Sequence, residues 1–142
     1  MVGEVMSSGR ARHSVLVYIA GPFRSANGWQ LRCRIHAAEQ AAAAVVEMGA
    51  MPVTPHSIGA NFDKTGTDEL WLDGTLELMR RCDAVLVLPG YEKSQGTLQE
   101  IAEARRLGKP LCMPQWFASG PNLQALASVI DTLARAKANQ EG

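Results

Sequence analysis

Ala84-Val-Leu-Val-Leu-Pro-Gly90, Tyr91-Glu-Lys-Ser94-Gln-Gly96-Thr-Leu-Gln-Glu100 and Ile101-Ala-Glu-Ala-Arg-Arg-Leu-Gly108 form one continuous stretch. The run Ala84 to Leu88 is short, apolar and rich in branched residues, which suits a buried strand better than a helix. Pro89-Gly90 ends it. Ile101, Ala104 and Leu107 then recur at helical spacing, and Gly108 stands where a helix would stop. Glu100 therefore falls in the first turn of that helix, just past the carboxyl end of a parallel strand. Ligands of open α/β sheets bind at that edge, so a carboxylate there is a candidate for chemistry.

Outward from this stretch the same alternation repeats. Ser14 to Ala20 reads as a first buried strand, ended by Gly21-Pro22. A helix follows over about Asn27 to Met48, with Ile35, Ala38, Ala42, Val45 and Val46 on one side and His36 in solvent. Met51-Pro52-Val53 is a short second strand, with Thr54-Pro55-His56-Ser57 at its carboxyl end. Ile58 to Thr67 reads as a polar loop long enough to act as a lid. Asp68 to about Cys82 is a helix whose Leu72, Thr75, Leu76 and Met79 share a face, leaving Asp73 and Glu77 on a solvated side. Lys109 to Met113 is a further strand, Pro114 to Pro121 a loop, and Asn122 to Ala138 a closing amphipathic helix. The order β-α-β-α-β-α-β-α predicts an α/β fold: one doubly wound parallel sheet of the flavodoxin or Rossmann-like kind, strand order about 2-1-3-4, with helices on both faces. The domain spans 14–138, between a disordered tail at 1–13 and a frayed one at 139–142. With the first and third strands adjacent, Tyr18, Gly21 and Arg24 come beside Ser94, Gly96 and Glu100 at the switch point of the sheet.

A chain of 142 residues with 46% hydrophobic and 20% charged residues fits one domain with a real core. Its formal net charge of zero argues against a nucleic-acid polymer or an anionic membrane as partner. No apolar run reaches transmembrane length and no secretory signal is visible. Cys33, Cys82 and Cys112 are odd in number and isolated, so they read as reduced, core-filling residues of a cytoplasmic protein, with no zinc site. No metal or cofactor is expected.

At a helix amino end the unpaired N–H groups favour negative charge. An ionised carboxylate held there can attack a sugar anomeric carbon and form a glycosyl ester. Tyr18 could hydrogen-bond Glu100 and orient it. Ser94, Gly96 and their neighbours would offer hydroxyl and N–H groups to a phosphate or hydroxyl. Gly21-Pro22 with Phe23 and Arg24 is either a plain turn or a phosphate or sugar cradle; the dinucleotide G-x-G-x-x-G pattern is absent. His56 sits on the same edge as a loop histidine able to touch a ligand. The spacing fits equally well a Glu100 that only stabilises its own helix end.

Tyr18-Ile-Ala-Gly21-Pro22-Phe23-Arg24, Thr54-Pro55-His56, Arg81-Cys82-Asp83 through Pro89-Gly90, and Ser94-x-Gly96-x-x-x-Glu100 together resemble the nucleoside 2-deoxyribosyltransferase superfamily. Within it the chain looks most similar to an uncharacterised DUF4406-type family, and is related to the deoxynucleoside 5′-monophosphate N-glycosidases. The resemblance covers about Val15 to Met113. It implies that Glu100 is the nucleophile and Tyr18 its positioning partner. It also implies that Gly21 to Arg24 and Ser94 touch the sugar or its 5′-phosphate, and that Tyr91 borders the base. The implied activity is an N-glycosidase or base-exchange glycosyltransferase on a nucleoside or nucleoside 5′-monophosphate, assembled as a homodimer or larger homo-oligomer. One position departs from the pattern. Eight residues ahead of Asp83 the superfamily has an aspartate that handles the base's proton; here Thr75 stands there, and threonine is no general acid at neutral pH. Another group serves, the base leaves unaided, or the chain is a non-catalytic nucleotide-binding module. Pro89-Gly90 with Gly96-Thr97-x-x-Glu100 also resembles, more distantly, the cytokinin-type phosphoribohydrolases.

Overall fold

The computed structural model describes residues 14–25, 27–62, 64–117 and 120–141. Strands β1 (Leu16–Ala20), β2 (Met51–Val53), β3 (Ala84–Val87) and β4 (Leu111–Cys112) form a parallel sheet in the order β2-β1-β3-β4. The expected fold class and strand order are therefore correct. Tyr18 pairs in register with Val53 on one side and Val85 on the other.

Strand periodicity sorts the core into two layers. Val17 and Ile19, with Ala84 and Leu86, face α1 (Gly28–Glu47) and α5 (Gln124–Glu141) through Ala38, Ala41, Val45, Leu126 and Ile130. Tyr18 and Ala20, with Val85 and Val87, face α3 (Asp68–Arg80) and α4 (Gln95–Arg106) through Met79, Ile101 and Ala104. The parity of β1 thus puts the Tyr18 phenol on the side of the sheet that carries α4 and Glu100. Asp83 fastens the opposite end of the central strands. Its Oδ2 accepts from the Leu16 N–H at 2.8 Å and pairs with Lys137 Nζ of α5 at 2.8 Å.

Asn27 caps α1 by accepting from the N–H groups of Trp29 and Gln30. The buried stripe of α1 is Ala38, Ala41 and Val45, while Val46 is exposed, so the helix is rotated slightly from the expected side.

Four local expectations differ from the structure. Ile58 to Thr67 is not a loop throughout, and His56 is not a loop residue: Pro55–Phe62 is a helix, α2, with proline at its first position, where no N–H is needed. Gly59 does not break this helix. It admits the Phe23 ring, whose Cζ would lie 2.8 Å from an added Cβ. The segment Trp116–Phe117 pairs antiparallel with Gly120–Pro121 as β5 and β6, where a plain loop is expected. Helix α5 runs to Glu141, taking in residues 139–141 of the expected tail. Cys33 is exposed, and only Cys82 and Cys112 fill the core. The expected tail at 1–13 lies outside the described residues.

Candidate active site

The loops after β1 and β3 leave the sheet in opposite directions, as a doubly wound sheet requires at its switch point. Between them opens a cavity of about 540 Å³. Most of its walls come from the β1–α1 loop, α2, α3 and the first turns of α4, with Arg34 of α1 and Lys93 just before α4 completing them.

Helix α3 contributes one stripe. Asp68, Trp71, Leu72 and Thr75 stand at i, i+3, i+4 and i+7, and all four line the cavity. At about 1.5 Å of rise per residue, Thr75 lies about 6 Å along the axis from Trp71 and about 10 Å from Asp68. Asp68 marks the rim, where its Oδ1 pairs with Arg24 Nη1 at 2.9 Å between two exposed side chains. The Trp71 indole N–H donates to the Thr65 carbonyl, which ties the ring to the turn before α3. Asp73 and Glu77 lie off the stripe, and both are exposed.

Helix α4 contributes the other wall. Ser94 caps it, its Oγ accepting from the Thr97 N–H at 3.2 Å and from Thr97 Oγ1 at 2.8 Å. The N–H groups of Gln95 and Gly96 belong to a first turn that lacks intrahelical acceptors. An added Cβ at Gly96 would meet nothing closer than Leu72 Cδ1 at 4.0 Å. Glycine there keeps the wall open without being sterically required.

Glu100, expected in the first turn, is instead the sixth residue of α4, one turn past the free N–H groups, at the cavity floor and only 6% exposed. The Tyr18 hydroxyl, itself 0% exposed, donates to Glu100 Oε2. Thr75 Oγ1 donates to the Leu72 carbonyl at 3.1 Å and also lies within hydrogen-bonding reach of Tyr18 and Glu100. Burial is the largest influence on Glu100, and it pushes the carboxyl up to about 7 although Tyr18 and Thr75 pull it down. Burial, with the neighbouring carboxylate second, raises Tyr18 far above the ordinary phenol range. The phenol therefore stays a donor at all ordinary pH values.

The β1–α1 loop closes one end. Gly21 is required there, since a Cβ would lie 2.6 Å from Leu88 Cβ. Arg34 of α1 donates to the Arg24 carbonyl and shares the wall. His56 of α2 is 2% exposed and meets Phe23 edge-on, with ring centroids 5.7 Å apart. Its Nε2 lies 3.1 Å from the Pro22 carbonyl, so Nε2–H is the donor, and its buried Nδ1 has no partner. Burial lowers its pKa below the ordinary histidine value, so the ring is neutral near pH 7.

Of the residues singled out from sequence, Gly21, Pro22, Phe23, Arg24, His56, Thr75, Ser94, Gly96 and Glu100 all line this cavity. Tyr18 lies beneath it, behind Glu100. Tyr91 does not line it and packs against the α4-side core instead. Sequence reasoning missed Arg34, Trp71, Asp68 and Lys93, which also line the cavity. The i, i+3, i+4, i+7 pattern running back from Thr75 is the signal that would have found Asp68, Trp71 and Leu72. Among the described residues, no group of three or more His, Cys, Asp or Glu could hold a metal ion, and no helix is long and apolar enough to cross a membrane.

A solved structure of the 2-deoxyribosyltransferase from the psychrotolerant bacterium Bacillus psychrosaccharolyticus is similar to this chain. It is 24% identical, with a TM-score of 0.50, over 68% of this chain and 69% of that one. That likeness gives the chain a deoxyribosyltransferase-like fold. No curated protein matches it. The sequence resembles a DUF4406-type family, but the family model it matches is a different one. Residues 15–113, which hold the whole sheet and every cavity-lining residue named above, match that model, and the chain belongs to the family described as Domain of unknown function (DUF7768).

Proposed function

We propose that this protein is an N-glycosidase, or a base-exchanging glycosyltransferase, acting on a nucleoside or nucleoside 5′-monophosphate with Glu100 as nucleophile. The observation that carries the reading is the Tyr18 to Glu100 hydrogen bond, buried at the floor of a cavity at the carboxyl edge of the sheet. In this reading the pentose sits over Glu100. Its 5′ substituent meets the Gly21 to Arg24 loop and the Ser94 to Gly96 turn, where N–H groups and basic side chains suit a phosphate.

Ionised Glu100 attacks the anomeric carbon, the base departs, and a glycosyl ester remains for water or a second base to open. Tyr18 holds the attacking carboxylate in one rotamer by donating to Oε2. With the carboxyl pushed up to about 7, the nucleophilic form grows as pH rises through neutrality, so base release should rise over the same range. Incubation with a panel of nucleosides and 5′-monophosphates tests the reading. Wild type should release free base; release by Glu100→Ala at the wild-type rate would exclude it.

Thr75, in a wall position where a proton donor to the base would be useful, favours a second reading: a nucleotide-binding module without turnover. Micromolar binding across the same panel with no base released would establish it. Assembly as a homodimer or larger oligomer and a cytoplasmic location belong to the main proposal; light scattering measures the first.

A further inference from the structure

We propose that the substrates of this site are nucleotides whose base is already positively charged before cleavage, such as a pyridinium or an N7-alkylated purine, and that the base stacks on Trp71. This inference rests on the N-glycosidase reading and narrows its substrate class. It follows from a survey of the proton donors around the α3 stripe. Thr75 cannot act as one. Asp68 lies about 10 Å further along the helix, exposed at the rim and paired with Arg24. His56 spends Nε2–H on the Pro22 carbonyl, and in that neutral tautomer its buried, unpartnered Nδ1 carries no proton to give. The Tyr18 hydrogen is committed to Glu100. Arg24 and Arg34 do not give up protons near neutrality. Lys93, next to Ser94 on the cavity wall, is assigned to the phosphate in the glycosidase reading. Glu100 is used as the nucleophile. An ordinary base, which leaves well only when protonated, finds no acid here.

A cationic base needs none. As Glu100 Oε bonds to the anomeric carbon, the carbon–nitrogen bond breaks and its electron pair passes to the ring, cancelling the positive charge. The base leaves neutral, and no proton moves. In the second step the water oxygen bonds to the anomeric carbon, the ester carbon–oxygen bond returns its pair to Glu100, and the water proton passes to solvent.

Trp71 is suited to such a base. Its N–H is occupied by Thr65, so the indole has only its ring to offer, one turn from Thr75 on the cavity side. Tryptophan is the best aromatic partner for a cation.

The test uses nicotinamide mononucleotide, AMP and ribose 5-phosphate with the full chain. General acids contribute about 10²–10⁴-fold. Wild type should therefore release nicotinamide at least about 100-fold faster than adenine, and Thr75→Asp should compress that ratio by about tenfold or more. Trp71→Leu should lower the affinity ratio of nicotinamide mononucleotide to ribose 5-phosphate by about 2- to 30-fold, and Trp71→Phe should restore most of it. Equal wild-type rates on the two nucleotides, or ratios that neither Thr75→Asp nor Trp71→Leu moves, would overturn the inference while leaving the glycosidase reading intact. Cleavage of neither nucleotide would overturn the inference, and release of base from any other member of the nucleoside and 5′-monophosphate panel would then keep the glycosidase reading. Should Thr75→Asp fail to fold, the wild-type ratio and the Trp71 variants still decide.

Discussion

Replacing Glu100 by glutamine should make the protein more stable, by an amount that depends on pH. The carboxyl is 6% exposed, and burial pushes it from the ordinary 4.5 to about 7. Between those values the folded protein holds a proton that the unfolded chain has released. Stability therefore falls as pH rises through that interval, and the whole loss is present above about 7. At about 1.4 kcal/mol per pH unit, the interval amounts to about 3 kcal/mol. Glutamine keeps the shape of the protonated acid and an oxygen to accept from Tyr18, but never ionises. Glu100→Gln should gain about 3 kcal/mol at pH 8 and under about 1 kcal/mol at pH 5. For a chain of this size that is a rise in Tm of about 10 °C at the higher pH. Thermal unfolding followed by circular dichroism at the two pH values measures it. An equal shift at both, or a loss of stability at pH 8, would refute the claim that Glu100 is kept at a cost in stability, as functional groups commonly are.

Tyr18→Phe removes a donor that holds Glu100 down, a charged hydrogen bond of about 1.5–3 kcal/mol; the rising limb of the pH–rate profile for base release should move upward by about 1–2 pH units. Gly21→Ala drives a methyl into Leu88 and should cost about 1–3 kcal/mol in urea unfolding; an unchanged midpoint would show that the loop has slack. Asp83→Ala strips the Leu16 N–H of its acceptor and Lys137 of its partner, a loss of about 1–3 kcal/mol. Lys137→Ala, which leaves the Leu16 bond in place, should cost less in the same assay.

The frame of the fold was legible because period-2 and helical patterns alternate cleanly from Val15 to Gly108, and buried parallel strands such as Val85–Val87 read as unbroken apolar runs. The floor of the candidate site was partly legible for the same reason: with β1 and β3 neighbours, Tyr18 and Glu100 come to one edge of the sheet, and the parity of β1 and the phase of α4 complete the contact. Helix α2 was not legible, because Gly59 looks like a break until Phe23 is seen lying against it. Tyr91 was misplaced because a 3₁₀ turn at Tyr91–Lys93 swings it onto the core. Trp71 escaped notice because its meaning depends on which face of α3 meets the cavity, and that is set by Met79 packing under the sheet. Cys33 illustrates the converse, since a small apolar residue on a long helix need not face inward.

The most direct measurement of the central claim is mass spectrometry of the protein quenched during turnover of nicotinamide mononucleotide. A glycosyl adduct is expected on the peptide that contains Glu100, absent from Glu100→Gln. Turnover with the Glu100 peptide unmodified throughout, and with Glu100→Gln as active as wild type, would contradict it.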